Sequence, residues 1–171
     1  MKPVKSIAIA IVAIYAALYA VLVVVLGPFS YGPIQLRVAD ALVALIPIFG
    51  WAGVIGHTVG VLVANIFSPA GPLDLLNTIP SFIMAVVVWK LSKRSLITGT
   101  VLYSVVLAGT VGAMLSYLYG LPLLATYFYV LIGNVVATTV IGYPLYRGVK
   151  KAGEYLLFST RFKQREEKKT S

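Results

Sequence analysis

Between Ile7 and Leu26 the chain runs for twenty residues without a charge. At about 1.5 Å per residue such a run, wound as a helix, crosses the roughly 30 Å hydrocarbon core of a bilayer. Water is absent at that depth, so backbone N–H and C=O groups must be satisfied within the protein, and a helix does this inside one segment. Five more apolar stretches follow: Val38–Phe49, Trp51–Phe67, Leu75–Leu91, Leu96–Tyr119 and Leu123–Tyr146. The expected fold is therefore an all-α membrane protein, a six-transmembrane-helix bundle. Composition agrees, because only 11% of residues are charged, against about 25% in soluble domains. The first run is too long for the apolar part of a signal peptide, and more runs follow, so it reads as a retained span. One membrane domain over residues 1–150 is expected. Residues 151–171 should form a basic interfacial helix, beginning around Tyr155, Leu156, Leu157 and Phe158, and then a solvated tail.

Glycine and proline punctuate these runs where turns are needed. Gly27-Pro28 closes the first, Pro47 and Gly50-Trp51 the second, and Gly120-Leu121-Pro122 separates the last two. Ser68–Asp74 reads as a loop, Pro80 interrupts the start of the fourth span, and Gly142-Tyr143-Pro144 marks the end of the sixth. The net charge of +9 points away from nucleic acid because of where it lies. Arg37 is the only basic residue between Lys5 and Lys90, and the rest gather at the termini and in the loop carrying Lys93 and Arg94. By the positive-inside rule, both termini face the cytoplasm and Arg37 faces out. There are no cysteines, which removes disulfides and thiolate chemistry. No repeat relates the two halves, which argues against an inverted-repeat carrier.

Against this background the polar residues stand out. Charged groups at bilayer depth cost about 2.5 kcal/mol or more, so those present tend to be paired and functional. Arg37 and Asp40 are spaced i, i+3, which on a helix lets them pair; they could equally cap and anchor a helix at the membrane surface. In a six-span topology they gather at the outer side with Gln35, with Asn65 at the end of the third span, and with Asp74, Asn77 and Ser81 at the start of the fourth. Asn134 lies deeper in the sixth, two turns from Tyr127. Phe29, Tyr31, Phe67 and Tyr127 offer flat apolar walls. Carboxylates, amides and aromatics together suit a small planar ligand with several donors and acceptors. His57, the only histidine, reads as a neutral imidazole bonded to a neighbouring helix, with ligand contact or proton transfer as the other options. Small residues on the first span, Ala13-x-x-x-Ala17 and Ala16-x-x-x-Ala20, make a shallow stripe for close helix packing. No nucleophile or zinc-protease motif is present, and Asp40 with Asp74 offers too few ligands for a metal site. No phosphate-binding loop occurs, so any ATP that drives transport is hydrolysed by another subunit.

Three stretches carry a family resemblance. Gly32-Pro33-Ile34-Gln35 is followed by Arg37 and Asp40-Ala41-Leu42; Ala64-Asn65-Ile66-Phe67-Ser68-Pro69 leads to Gly71 and Asp74; Gly142-Tyr143-Pro144-Leu145 precedes the basic tail. Together they resemble the QueT-type proteins, queuosine-precursor substrate-binding subunits (S components) of energy-coupling factor transporters. The resemblance implies a 7-deazaguanine ligand such as preQ0 or preQ1, a transmembrane coupling subunit and two ABC-type ATPases as partners, and no cofactor in this chain. It implies a substrate site drawn from Gln35, Arg37, Asp40, Asn65, Asp74, Asn77, Asn134 and Tyr127. It also implies docking of the coupling subunit on Ala13, Ala17 and Ala20. The chain departs from the family pattern at Asp40, where a glutamate is usual, and at Asn134, where an acid is common. The guanine-like edge fits the residues chemically: its N1–H and amine are donors that one carboxylate can accept through two charge-assisted bonds.

Rival readings of the residues are an S component for another vitamin or nucleobase, an intramembrane enzyme using His57 with Asp40 or Asp74, and a stand-alone proton-coupled carrier.

Overall fold

The structure is a computed structural model, and it describes residues 3–32 and 36–155. The described chain is all helical. It comprises α1 (Pro3–Val25), α2 (Gly27–Ser30), a 3-10 helix over Val38–Leu45, α3 (Ile46–Phe49), α4 (Trp51–Ile66), α5 (Pro72–Leu76), α6 (Thr78–Leu91), α7 (Leu96–Tyr119) and α8 (Leu123–Val135). A π-helical segment, Val136–Ile141, then carries α8 into a further helical stretch over residues 142–155. Four of these units are long and apolar enough to cross a membrane: Ser6–Val25, Pro72–Leu91, Leu96–Tyr119 and Leu123–Tyr155. Val38–Phe49 and Trp51–Ile66 are shorter apolar helices.

Most boundaries fall where the turn residues put them. Gly27-Pro28 starts α2 with proline in its first turn, where no N–H is required. Gly50 sits at φ 59°, ψ −132°, a conformation closed to residues with a Cβ, and so turns the chain sharply between α3 and α4. Ser95 caps α7 by accepting the amide of Thr98, and Gly120 ends it in the left-handed conformation. Pro80 falls in the first turn of α6 because the helix breaks at Asn77. The sixth unit differs from expectation. Gly142-Tyr143-Pro144 does not end it; the helix runs on to Tyr155. Pro144 can donate no N–H to the carbonyl four residues back, and the π turn just before it absorbs that mismatch. The interfacial helix and tail expected from 151 onward lie mostly outside the described residues, and residues 151–155 simply continue this helix.

Close approaches fix how the helices run. A Cβ on Gly56 would meet Tyr15 at 2.9 Å and one on Gly60 would meet Tyr19 at 2.8 Å, so α1 and α4 lie parallel and in register. Gly99 against Val88 and Gly112 against Tyr127 make α6, α7 and α8 an antiparallel series. Gly142 lies against Ala41 and Ala44, so the 3-10 helix packs on the π segment. Hydroxyls stitch the π segment to α7: Ser104 to Thr138 and Thr100 to Thr139, both at 2.9 Å. The 3-10 helix threads the middle of the bundle, buried at every residue from Ala39 to Leu45. It makes contact with α1, α3, α4, α6, α7 and the π segment. Charge then separates by end. Lys90, Lys93, Arg94, Arg147, Lys150 and Lys151 lie at or beyond the end of the bundle where α6 and the last helix finish; Arg37 and Asp74 lie at the other.

Candidate functional site

The polar residues converge around the start of the 3-10 helix. Arg37 is its N-cap, with φ −82° and ψ 86°, so its side chain is not part of the helical face. That is why the expected Arg37–Asp40 pair gives way to another. Arg37 Nη2 lies 3.6 Å from Asp74 Oδ2, with both side chains buried, and the guanidinium sits 5.8 Å from the centre of the Tyr31 ring. Asp40 instead accepts the Tyr19 hydroxyl of α1 at 2.6 Å. Asp74 is held in place from two sides. Asn77 donates to its carboxylate at 3.1 Å and Asn65 donates to its backbone carbonyl at 2.8 Å. Tyr31 reaches across to the carbonyl of Ala64 at 2.6 Å, tying the loop after α2 to the end of α4.

Arg37, Asp40, Asn77, Ser81, Tyr103, Leu107, Val111 and Asn134 enclose a void of about 10 Å³. That is room on the order of one water, whereas ligand pockets measure about 300 Å³ or more. No cavity of ligand size opens on these residues; the outward-facing pocket expected from the sequence is not seen among the described residues, although polar groups expected to line it do gather around the void. Tyr103, Leu107, Val111, Leu115 and Tyr119 follow one another at i, i+4 on α7. The first three line the void; the last two line a separate apolar cleft of about 300 Å³ with Tyr31, Gly32 and Leu121. One face of α7 thus joins the buried polar groups to the end of the bundle.

Of the residues singled out in the sequence, Arg37, Asp40, Asn77 and Asn134 line the void, while Asn65 and Asp74 form the adjoining shell. Gln35 lies outside the described residues. Tyr127 is half-buried on α8 where Gly112 of α7 packs, away from the void. Phe29 and Phe67 point outward, 64% and 62% exposed, and wall nothing. Tyr31, singled out in the sequence, lies beside Arg37; the other aromatic neighbours of the site, Tyr19 and Tyr103, were not. Both looked like ordinary span residues, and the clue was that buried tyrosine hydroxyls require partners. On α1, Ala13 and Ala17 are exposed, whereas Ala16 and Ala20 are buried, with the Ala16 carbonyl 3.1 Å from where a Cβ on Gly60 would lie. His57 is fully buried among Tyr15, Tyr19 and Tyr103, its Nε2 3.2 Å from the Tyr103 hydroxyl. No acid hydrogen-bonds to it among the described residues. Nor does any group of three or more metal-binding side chains occur among them.

A helical bundle with an apolar exterior, four of its units long and apolar enough to cross a membrane, defines a polytopic membrane protein. The sequence model of the QueT transporter family matches residues 9–151, and the chain belongs to that family. No curated protein and no solved structure matches it. It is thus a transmembrane protein of a transporter family.

Proposed function

We propose that the chain is the substrate-binding subunit of an ATP-driven importer of the energy-coupling factor kind, and that it captures a 7-deazaguanine such as preQ0 or preQ1 at the cluster around Asp40. One observation carries this reading. Arg37 Nε and Nη2, Asn65 Oδ1 and Asp74 Oδ2 are buried without a hydrogen-bond partner among the described residues. Native proteins leave few such atoms, and these are joined to one another by the Arg37–Asp74 pair and the Asn65–Asp74 bond. A polar ligand or the waters it displaces would satisfy them. Asp40 is the acid best placed to meet the ligand. It lines the void, and Tyr19 is the one donor its carboxylate meets among the described residues, which leaves its other oxygen for a ligand. Arg37 is engaged with Asp74, so it shapes the site and balances its charge. The basic end faces the cytoplasm in this reading, the six helical units each cross, and the coupling subunit docks on the exposed Ala13 and Ala17, whereas Ala20, also expected on that face, is buried in the bundle. ATP is hydrolysed by two partner ATPases.

Titration calorimetry with preQ1 on wild type and Asp40→Asn tests this. The amide replaces one acceptor oxygen with a donor, and loss of a charge-assisted bond of about 1.5–3 kcal/mol weakens binding roughly ten- to hundred-fold. Asp40→Glu keeps the charge and should be milder. Equal affinity for wild type and Asp40→Asn removes Asp40 from the site. Mass spectrometry of small molecules extracted from the purified protein separates a 7-deazaguanine from a vitamin or another base.

A further inference from the structure

Among the groups around the void, Tyr103 and His57 have no part in the reading above, although both are almost wholly buried. Tyr103 comes from α7 and lines the void, and His57 comes from α4 directly behind it. We propose that Tyr103 contacts the ligand and sets its specificity, with His57 holding the tyrosine so that its hydroxyl proton points into the site. The position then demands an acceptor, such as a ring carbonyl, on the ligand edge it meets. This rests on the ligand reading given under Proposed function for the identity of that edge, and on the following geometry for its polarity.

His57 Nε2 is 3.2 Å from the Tyr103 oxygen, and His57 Nδ1 has no hydrogen-bond partner among the described residues. An imidazolium would set a charge in a wholly buried position with no acid in ion-pair reach and would leave an N–H with no acceptor, so the ring carries one proton. Two tautomers are possible. With the proton on Nδ1, a buried N–H faces no acceptor, and the only hydroxyl proton of Tyr103 is spent on Nε2. With the proton on Nε2, that N–H donates to the Tyr103 oxygen and the unpaired atom is a lone pair. Buried N–H groups without partners are rarer than under-satisfied acceptors. The edge-on ring of Tyr19, with its centroid 5.1 Å from that of His57, is a second-order substitute for a real acceptor. The second tautomer is therefore the one this site builds. The Tyr103 oxygen already accepts from His57, and Ser81, its other hydroxyl neighbour on the void, can donate to it as well, so its own proton is left for the void.

Of the three tyrosines around His57, Tyr19 and Tyr103 present opposite polarities. Tyr19 gives its proton to Asp40 at 2.6 Å, while Tyr103 retains its own for whatever enters. Asp40 supplies an acceptor and Tyr103 a donor on the same small void. A planar heterocycle whose carbonyl adjoins an N–H offers the matching donor and acceptor side by side. A ligand with only donors along that edge would leave Tyr103 unpaired, and a site built for hydrogen bonds discriminates strongly against such a loss.

Two measurements test this. His57 is the only histidine, so nitrogen-15 labelling of histidine gives one imidazole spin system, and the pattern of ring C–H couplings shows which nitrogen is protonated. A proton on Nε2 is expected, and a proton on Nδ1 overturns the proposal without reference to any ligand. The second measurement compares 7-deazaguanine with its 6-thio analogue, which keeps both donors and replaces the carbonyl with sulfur, a weak acceptor. Tyr103→Phe should weaken binding of the carbonyl compound about three- to tenfold and that of the thio compound hardly at all. An equal loss for both shows that Tyr103 acts only by packing and sinks the idea. A wild-type protein that binds neither compound defeats the 7-deazaguanine reading, and the inference then stands or falls on the tautomer.

Discussion

Neutralising Asp74 should damage the fold severely, because its partner Arg37 is buried with it. Arg37 Nη2 and Asp74 Oδ2 are 3.6 Å apart, with side-chain exposures of 8% and 0%. Neither atom has a hydrogen-bond partner, so charge rather than hydrogen bonding holds the pair. Two unit charges at that distance, with an effective dielectric constant of about 20, attract by roughly 4–5 kcal/mol. Breaking a buried pair costs on the order of 3–5 kcal/mol because the survivor is left uncompensated. Asp74→Asn keeps the side chain's shape and leaves an oxygen for Asn77 to donate to, so the loss isolates the charge. We expect a destabilisation of about 3–5 kcal/mol for Asp74→Asn and a similar figure for Arg37→Gln.

The assay is equilibrium unfolding in mixed micelles, followed by circular dichroism and completed as a double-mutant cycle. Arg37→Gln combined with Asp74→Asn removes both charges and should recover much of the loss, giving a coupling of about 2 kcal/mol or more. Additive single losses below roughly 1 kcal/mol, the value of an exposed pair, would refute the reasoning. Water would then be screening the pair, and Arg37 would be free to bind the ligand directly.

Three further outcomes follow from the packing and the separation of charge. Gly60→Val should destabilise the bundle by about 1–3 kcal/mol, since even a Cβ there lies 2.8 Å from the Tyr19 Cβ; a thermal midpoint equal to wild type would show that α1 and α4 can part freely. Cysteines replacing Tyr119 and Lys93, both exposed and at opposite ends of the bundle, should react with impermeant reagents from opposite sides of the membrane. Reaction of both from one side refutes the six-span topology. Tryptophans at Ala13 and Ala17 should block co-purification with a coupling subunit while leaving ligand affinity unchanged, and survival of the complex would move docking to another face.

The sequence made the helices legible because span length is a solvent property. Leu96–Tyr119 was delimited to the residue, with Ser95 and Gly120 as the caps its neighbours require. What it left hidden depends on partners far along the chain. The i, i+3 spacing of Arg37 and Asp40 suggested a local pair, yet the chain turns at Arg37, and the acid that meets it comes from α5. Tyr19 and Tyr103 gave no signal because their hydroxyls acquire meaning only when α1, α4 and α7 place them beside Asp40 and His57. The glycine and alanine pattern was ambiguous for the same reason. Gly56 and Gly60 pack under α1, while Ala13 and Ala17 face away from the bundle. A spacing rule cannot tell the two faces apart without the neighbouring helix.

The short second unit explains why charges can sit where they do. Val38–Leu45 is a 3-10 helix of 8 residues and α3 adds 4 more. At about 2.0 and 1.5 Å per residue these span roughly 22 Å, against about 18 Å if all twelve were α-helical. The hydrocarbon is about 30 Å thick. Arg37 and Asp40, at the start of this unit, are buried inside the bundle of longer helices. A runway of small residues, Ala39, Ala41 and Ala44, makes this narrow helix thin enough to pass between α1 and the π segment. The extended run of 3-10 geometry, uncommon beyond three or four residues, packs on the π turn, so both departures from α geometry fall at one contact. The cost of burying Arg37 and Asp40 inside the bundle is offset by Asp74 and Tyr19.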